Sequence, residues 1–450
     1  MTLDEFFALR ALLLVLGLVL VGAPLAALRW RLPPGIRLAL DFALGLYALT
    51  FYIGVVALFL WQDSLVGLYF GGAYPAPQGA PYGALLLLAT TPLLVLPGLL
   101  ALAQGLRATP APAQAPAGQR PAAAPIRPIA LLLGVGLSMA VVWLLTGALL
   151  PTLADNALTG LGETVGLADL YARRRKVFED LSALRAGMLY GTLPACAALL
   201  LFLPRGPARL MRALGLALAA LVVLLHAGLF QIGPLLAFGL MLVLCAAVRL
   251  RGRIRPLHIA VAALAGAGLF GVYESVKTSD AESSGPVLQL ALRLPIALPY
   301  LWEFAAQAPT EVAGSDSLPH DLGEFMFPQL RGPERFVAMP QPGFVEAYFQ
   351  FGVAAALGVL AAVALMVWLG GTALDRLQRR GDVQRPVLVA VLLAPALYYG
   401  FQVSLRDVFV SSYGVIFPAL PVMAVLVAHA LLQLRHSKRH SKPKTSHLPL

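Results

Sequence analysis

Charge is what this sequence has least of. Asp, Glu, Lys and Arg make up 12% of its 450 residues, against about 25% in an ordinary soluble domain. With 59% hydrophobic residues and a mean hydropathy of +0.80, that deficit excludes a chain that folds free in water. Cysteine is almost missing. Cys196 and Cys245 both lie in apolar runs, so no disulfide framework is implied. There is no Walker motif, dinucleotide fingerprint, zinc-ligand spacing or internal repeat, which removes the usual sequence signs of nucleotide and structural-metal chemistry. No acidic pair sits on an apolar run, so no metal ligand and no cofactor is expected. Polarity does not alternate with a period of two, which excludes a transmembrane barrel.

What is present is a succession of apolar runs. Each is about 20 residues, long enough to cross a hydrocarbon core of about 30 Å as a helix. Lipid leaves the backbone no other open-ended choice, since every N–H and C=O must be satisfied within the chain. The runs lie near 11–28, 38–61, 84–106, 129–150, 188–204, 213–230, 232–248, 257–276, 344–370, 386–404 and 412–434. The expectation is an all-α, multi-pass integral membrane protein with about 11 transmembrane helices, its membrane domain covering 1–434. The first run has no basic segment before it and reads as an anchor, not a cleaved signal.

The formal net charge of +11 is less informative than its distribution. Arg29, Arg31, Arg37, Arg107, Arg120, Arg127, Arg205, Arg209, Arg212, Arg249 to Arg255, Arg376 to Arg385 and the tail 435–450 fall in alternate connections. By the positive-inside rule these connections are cytoplasmic. All 22 acids except Asp41, Asp375 and Asp382 fall in the opposite set. The N-terminus is then outside and the C-terminus inside. The basic excess reports orientation and contact with anionic membrane lipids; nucleic acid is not needed to explain it. Residues 107–128 form a Pro/Ala-rich cytoplasmic linker.

Two outer connections are long, 151–187 and 277–343, so the outer face is the elaborated one. The first holds Arg173, Arg174, Arg175 and Lys176, four cations on the wrong side for topology. They either offset Glu179 and Asp180 on one amphipathic helix or form an anion site at the membrane surface, where guanidinium forks match phosphate oxygens. The second begins with "LQLALRLPIALPYLWEF", which contains Arg293 and reads as an interfacial or re-entrant helix. It continues with "SLPHDLGEFMFPQLRGPERF", holding His320, Asp321, Glu324 and Arg331, which suits a lid or an ordinary solvated loop. "MPQPGFVEAYFQFG" then places Glu346 and Tyr348 at the mouth of an apolar run. "SLRDVFVSSYG" places Arg406 beside Asp407 between two spans.

In order, spacing and sidedness, these segments resemble the Wzy-type polysaccharide polymerases of bacterial inner membranes. The carriers are "ARRRKVF", the 213–248 hairpin ending in "RLRGRIR", "ALRLPIALPYLWEF", "HDLGEFMFPQLRGPERF", "PQPGFVEAYFQFG" and "SLRDVFVSSY". The resemblance covers about 170 to 434. One departure is the turn "AGLFQIGP" at 227–234, which lacks the arginine such polymerases often carry there.

The resemblance implies a GT-C-like fold with interfacial helices in the long periplasmic loop. It implies a glycosyltransferase that polymerises undecaprenyl-diphosphate-linked oligosaccharide repeat units of O-antigen or enterobacterial common antigen into a surface polysaccharide, with its active site facing the periplasm. A flippase and a chain-length regulator are the implied partners. Loss of a lipid diphosphate needs cations, for which Arg173, Arg174, Arg175, Arg293, Arg331 and Arg406 are candidates. The attacking sugar hydroxyl needs a general base, for which Asp321, His320 and Glu346 are candidates, with Glu324 a further acid. Tyr348, Phe349 and Phe351 would offer faces for sugar stacking. Glu346 and the aromatics have a plainer reading too, as a helix-end carboxylate and an interface belt. The alternatives are an O-antigen ligase and a lipid-linked-oligosaccharide flippase.

Overall fold

The structure is a computed structural model of the full chain. It describes residues 27–62, 64–66, 79–105, 124–162, 181–205, 208–228, 232–250, 294–327, 341–401 and 414–440, with isolated positions such as Leu292 and Met339. Among the described residues every regular element is helical and there is no strand. The first seven are α1 (Pro34–Trp61), α2 (Tyr82–Gly105), α3 (Pro128–Thr146), α4 (Leu150–Gly162), α5 (Ala183–Phe202), α6 (Arg209–Gly228) and α7 (Ile232–Arg249). Three short helices follow, α8 (Leu298–Gln307), α9 (Pro309–Gly314) and α10 (Leu318–Met326). The rest are α11 (Gly343–Phe351), α12 (Val353–Arg379), α13 (Arg385–Gly400) and α14 (Ile416–His440).

Seven of these are long and apolar enough to span a membrane: α1, α2, α3, α5, α6, α12 and α14. The protein is therefore an all-α, multi-pass membrane protein. α7 and α13 are apolar but shorter, 16 to 18 residues. The expected spans 11–28 and 257–276 lie largely or wholly outside the described residues.

Several expected boundaries need correction. The run 344–370 is not one span. It breaks at Gly352, whose φ of +85° and ψ of −172° turn the chain between α11 and α12. α14 continues into the basic tail and runs helical to His440. The connections 151–187 and 277–343 carry helices α4, α8, α9 and α10. α1 begins at Pro34, four residues before the expected start, which puts Asp41 about two turns into it.

The main pairs in the bundle are α1 with α12, α3 with α14, α5 with α6, and α7 with α13. α1 and α12 approach most closely where Gly35 faces Gly371. A Cβ on Gly35 would lie 2.5 Å from the backbone N of Asp375, and one on Gly371 would lie 2.9 Å from that of Ile36. Small residues at a crossing let two backbones make close van der Waals contact, which is what drives association when lipid is as apolar as the side chains.

One end of the bundle collects the arginines. Gln384 is buried there. Its Oε1 accepts from Ile126 N at 2.8 Å, and its Nε2 donates to Leu203 O at 3.0 Å. Arg249 Nη2 donates to Pro204 O at 3.0 Å. These bonds draw the starts of α3 and α13 to the ends of α5 and α7. The three acids that break the charge pattern each hold an arginine here: Asp41 binds Arg29 at 2.5 and 2.7 Å, Asp375 binds Arg379 at 2.9 Å, and Asp382 binds Arg385 at 3.2 Å. The exceptions are thus local neutralisers, and the segregation of charge survives them.

Candidate functional site

The other end carries the short helices. α9 packs on α11, α8 packs on α9 and α10, and α8 faces α11 and the start of α12 across Trp302 and Phe349. Each has a proline in its first turn, where the missing N–H costs nothing. α8 is fixed by an apolar face: Leu298, Tyr300, Leu301 and Phe304 are buried, and Phe304 stacks on Phe325 of α10 at 4.9 Å. The segment leading into α8 was expected to be interfacial or re-entrant. Leu292, Leu294, Ile296, Ala297 and Leu298 are enclosed by protein. That enclosure is the condition under which irregular backbone is tolerated at membrane depth.

Polar bonds then tie the cap to α11. Gln350 Nε2 donates to Ser315 O at 3.0 Å, and Ser315 Oγ donates to Asp321 Oδ2 at 2.5 Å. Met339 N donates to Pro319 O at 2.8 Å. Asp321 is half-buried in the first turn of α10, where the positive dipole end favours its charge. His320 beside it is also half-buried. Burial holds its pKa below the usual histidine value, against the opposing pull of Asp321 and Glu324. His320 and Asp321 were expected on a loop that could close. They sit on a helix, α10, that packs against α8. Glu324 is exposed.

Glu346 goes elsewhere. It is 8% exposed and faces inward from the first turn of α11. Its Oε1 accepts a long bond of 3.4 Å from Gln341 N, and Gln341 Nε2 donates to Leu294 O at 3.1 Å. Phe344, two residues earlier, reaches Tyr47 in the middle of α1, with ring centroids 5.9 Å apart. The start of α11 is thus sunk into the bundle instead of resting at its lip.

Two cavities meet at Tyr348. One, of about 380 Å³, lies between Trp302, Ala305 and Ala306 of α8 and Tyr348, Phe349, Gly352 and Val353. Trp302 meets Phe349 edge to face at 6.1 Å, and Phe349 meets Tyr348 the same way at 5.3 Å. The other, of about 280 Å³, is an apolar groove between Leu87, Leu88 and Thr91 of α2 and Ala356 and Leu357 of α12, with Phe344 and Tyr348 at its side. Glu346 lines neither, and Phe351 points outward at 70% exposure.

Of the residues singled out from sequence, the structure therefore gathers His320 and Asp321 on the cap, sets Tyr348 between the cavities, and turns Glu346 away from both. Arg173, Arg174, Arg175, Arg293, Arg331 and Arg406 lie outside the described residues. Among the described residues no three His, Cys, Asp or Glu side chains converge as metal ligands would. Ser315, Gln350 and Trp302 were not on the list of site residues. Ser315 and Gln350 are joined across 35 residues, which no local pattern reveals. Trp302 carries a weak signal, an aromatic at i+4 from Leu298 on an otherwise small-residue face. Comparison of the chain with family models, curated proteins and solved structures gives no match.

Proposed function

We propose that this protein is a membrane glycosyltransferase that joins polyprenyl-diphosphate-linked oligosaccharides at the end of the bundle remote from the arginines. The observation that carries this reading is the pair of unlike cavities meeting at Tyr348. An apolar groove facing the membrane suits a polyprenyl chain. An aromatic cleft under a polar cap suits sugar rings, which stack on aromatic faces and need few but oriented polar partners. A substrate with a greasy tail and a sugar head has that division.

In this reading the apolar groove holds the lipid tail near Leu87 and Leu357, and Tyr348 and Trp302 hold the sugar. Asp321 is the base that takes the proton of the attacking hydroxyl, oriented by Ser315 Oγ. The hydroxyl oxygen then bonds to the anomeric carbon as the bond from that carbon to the diphosphate oxygen breaks. His320, held neutral by its burial, is the neighbouring group that could share the proton. Charge on the departing diphosphate falls to Arg293 and Arg406, with Arg173 to Arg175 and Arg331 as further cations. Glu346 keeps a positioning role, fixing the start of α11 against the segment at Leu294. The substrate being an undecaprenyl-linked repeat unit, and the product a periplasmic polysaccharide, belong to the same proposal.

The test is photo-crosslinking. A benzophenone side chain at Leu357 should label a polyprenyl-diphosphate oligosaccharide, and the same probe at Leu144, on the exposed face of α3, should not. Equal labelling at both positions would remove the groove as a substrate site.

A further inference from the structure

We propose that the arginine-bearing end of the bundle holds a site for an acidic phospholipid. Its phosphate would sit against Arg127 and Arg205, and its acyl chains along Leu131, Leu203 and Met211. This site is separate from the one around Tyr348 and does not depend on the function proposed there.

The first observation is a cavity. About 270 Å³ opens where the starts of α3, α6 and α13 meet the end of α5. Its walls are apolar, and its charged lining residues are Arg127 and Arg205. Arg127 is half-buried and Arg205 exposed.

The second is an imbalance of charge. The three acids at this end, Asp41, Asp375 and Asp382, are already held by Arg29, Arg379 and Arg385. Among the described residues neither Arg127 nor Arg205 has a carboxylate within ion-pair distance. Arg205 and Arg212 instead lie close enough to Arg249 to repel it, while Arg249 spends its donors on Pro204 O and Val383 O. Three helix starts add the positive ends of their dipoles in the same place.

The third is that the cavity floor asks for nothing. Gln384 directs its amide oxygen to Ile126 N and its amide nitrogen to Leu203 O. It ties Ile126 and Leu203 together at the cavity lining. What is unmet is positive charge at the rim and apolar surface on the wall.

One ligand chemistry meets both: a phosphate ester on a hydrocarbon tail. Guanidinium groups bind phosphate oxygens through charge-assisted, often paired hydrogen bonds. Basic pockets between spanning helices on the cytoplasmic side bind anionic headgroups, and the charge distribution assigns this end to the cytoplasm. Free phosphate would engage the rim but leave the wall of Leu131, Leu203 and Met211 wet.

The experiment uses the full chain in detergent, with lipid binding read by native mass spectrometry and by the thermal midpoint. Phosphatidylglycerol should bind and raise the midpoint; phosphatidylcholine and inorganic phosphate at equal concentration should not. The paired change Arg127→Gln and Arg205→Gln should weaken phosphatidylglycerol binding by about tenfold or more. Lysine at both positions should restore part of it. Arg31→Gln with Arg435→Gln removes the same charge from exposed positions and should leave binding intact. Met211→Trp, which fills the apolar wall and keeps both arginines, should also abolish binding. Wild-type affinity in both the double glutamine variant and Met211→Trp overturns the proposal. So does an equal loss in the Arg31 and Arg435 control, which would mean diffuse charge attraction, and so does an inorganic phosphate effect as large as the lipid's.

Discussion

Gly352 and Gly358 stand six residues apart on either side of the start of α12, and a methyl group added to either would meet no atom within 4 Å. They differ in backbone. Gly358 is inside the helix, so Gly358→Ala should stabilise by up to about 1 kcal/mol through helix propensity. Gly352 has φ +85° and ψ −172°, a region open in practice to glycine alone. Forcing alanine into it should cost about 1–3 kcal/mol. The two variants should therefore separate by about 1.5 kcal/mol or more, in opposite directions from the wild type. Unfolding of the purified protein by titration with a denaturing detergent measures the difference. The break also sets the angle of α11, and with it the faces of Tyr348 and Phe349 in the cleft. Substrate crosslinking at Leu357 should fall in Gly352→Ala and hold in Gly358→Ala. Equal stability of the two variants would refute the claim that the break between α11 and α12 rests on glycine's conformational freedom.

Further outcomes are expected. Gln384→Ala strands Ile126 N and Leu203 O in a buried site, and should lower stability by about 1–3 kcal/mol for each group left unpaired, read by the same detergent titration. Gly371→Val should do more damage than Gly358→Val, because its Cβ falls 2.9 Å from Ile36 N; the folded fraction by gel filtration shows it. His320 has a folded pKa below its unfolded value of about 6.5, so the unfolded chain takes up its proton first. Stability should fall as pH drops through about 6.5 towards the folded pKa, and His320→Asn should flatten that part of the profile. A profile unchanged by the substitution would contradict the burial of this ring.

Much of the architecture could be read before any coordinates. Long apolar runs found α2, α3, α5, α6, α7 and α13 to within a few residues at most ends, because a run that must cross lipid as a helix leaves little freedom. The sorting of arginines was legible too. Gln384 and Arg249 tie α3, α5, α7 and α13 at one end. What was illegible was set by single backbone angles and long-range bonds. Residues 344–370 carry a single charge, Glu346, and are otherwise mostly apolar, so hydropathy could not reveal the break at Gly352. Asp41, Asp375 and Asp382 looked like exceptions in sequence because their arginine partners are found only in space or at helical spacing. At the cap, His320 and Asp321 were named from composition. Ser315 and Gln350, which hold Asp321 in place, were not, since their pairing depends on how α9 folds back on α11. Glu346 drew notice as a carboxylate beside aromatics, yet the 100° step between successive helix residues carries it to the opposite side from Tyr348.

The most direct test of the proposed function is reconstitution of the purified protein in liposomes with a polyprenyl-diphosphate-linked oligosaccharide, followed by gel separation of the glycan. The account expects a ladder of joined repeat units with release of polyprenyl diphosphate. Asp321→Asn should slow that ladder by about 10²–10⁴-fold, the range for loss of a general base, while Glu346→Gln, a positioning residue, should slow it less. Movement of intact substrate across the bilayer with no new glycosidic bond would contradict the account, and so would a ladder formed at the wild-type rate by Asp321→Asn.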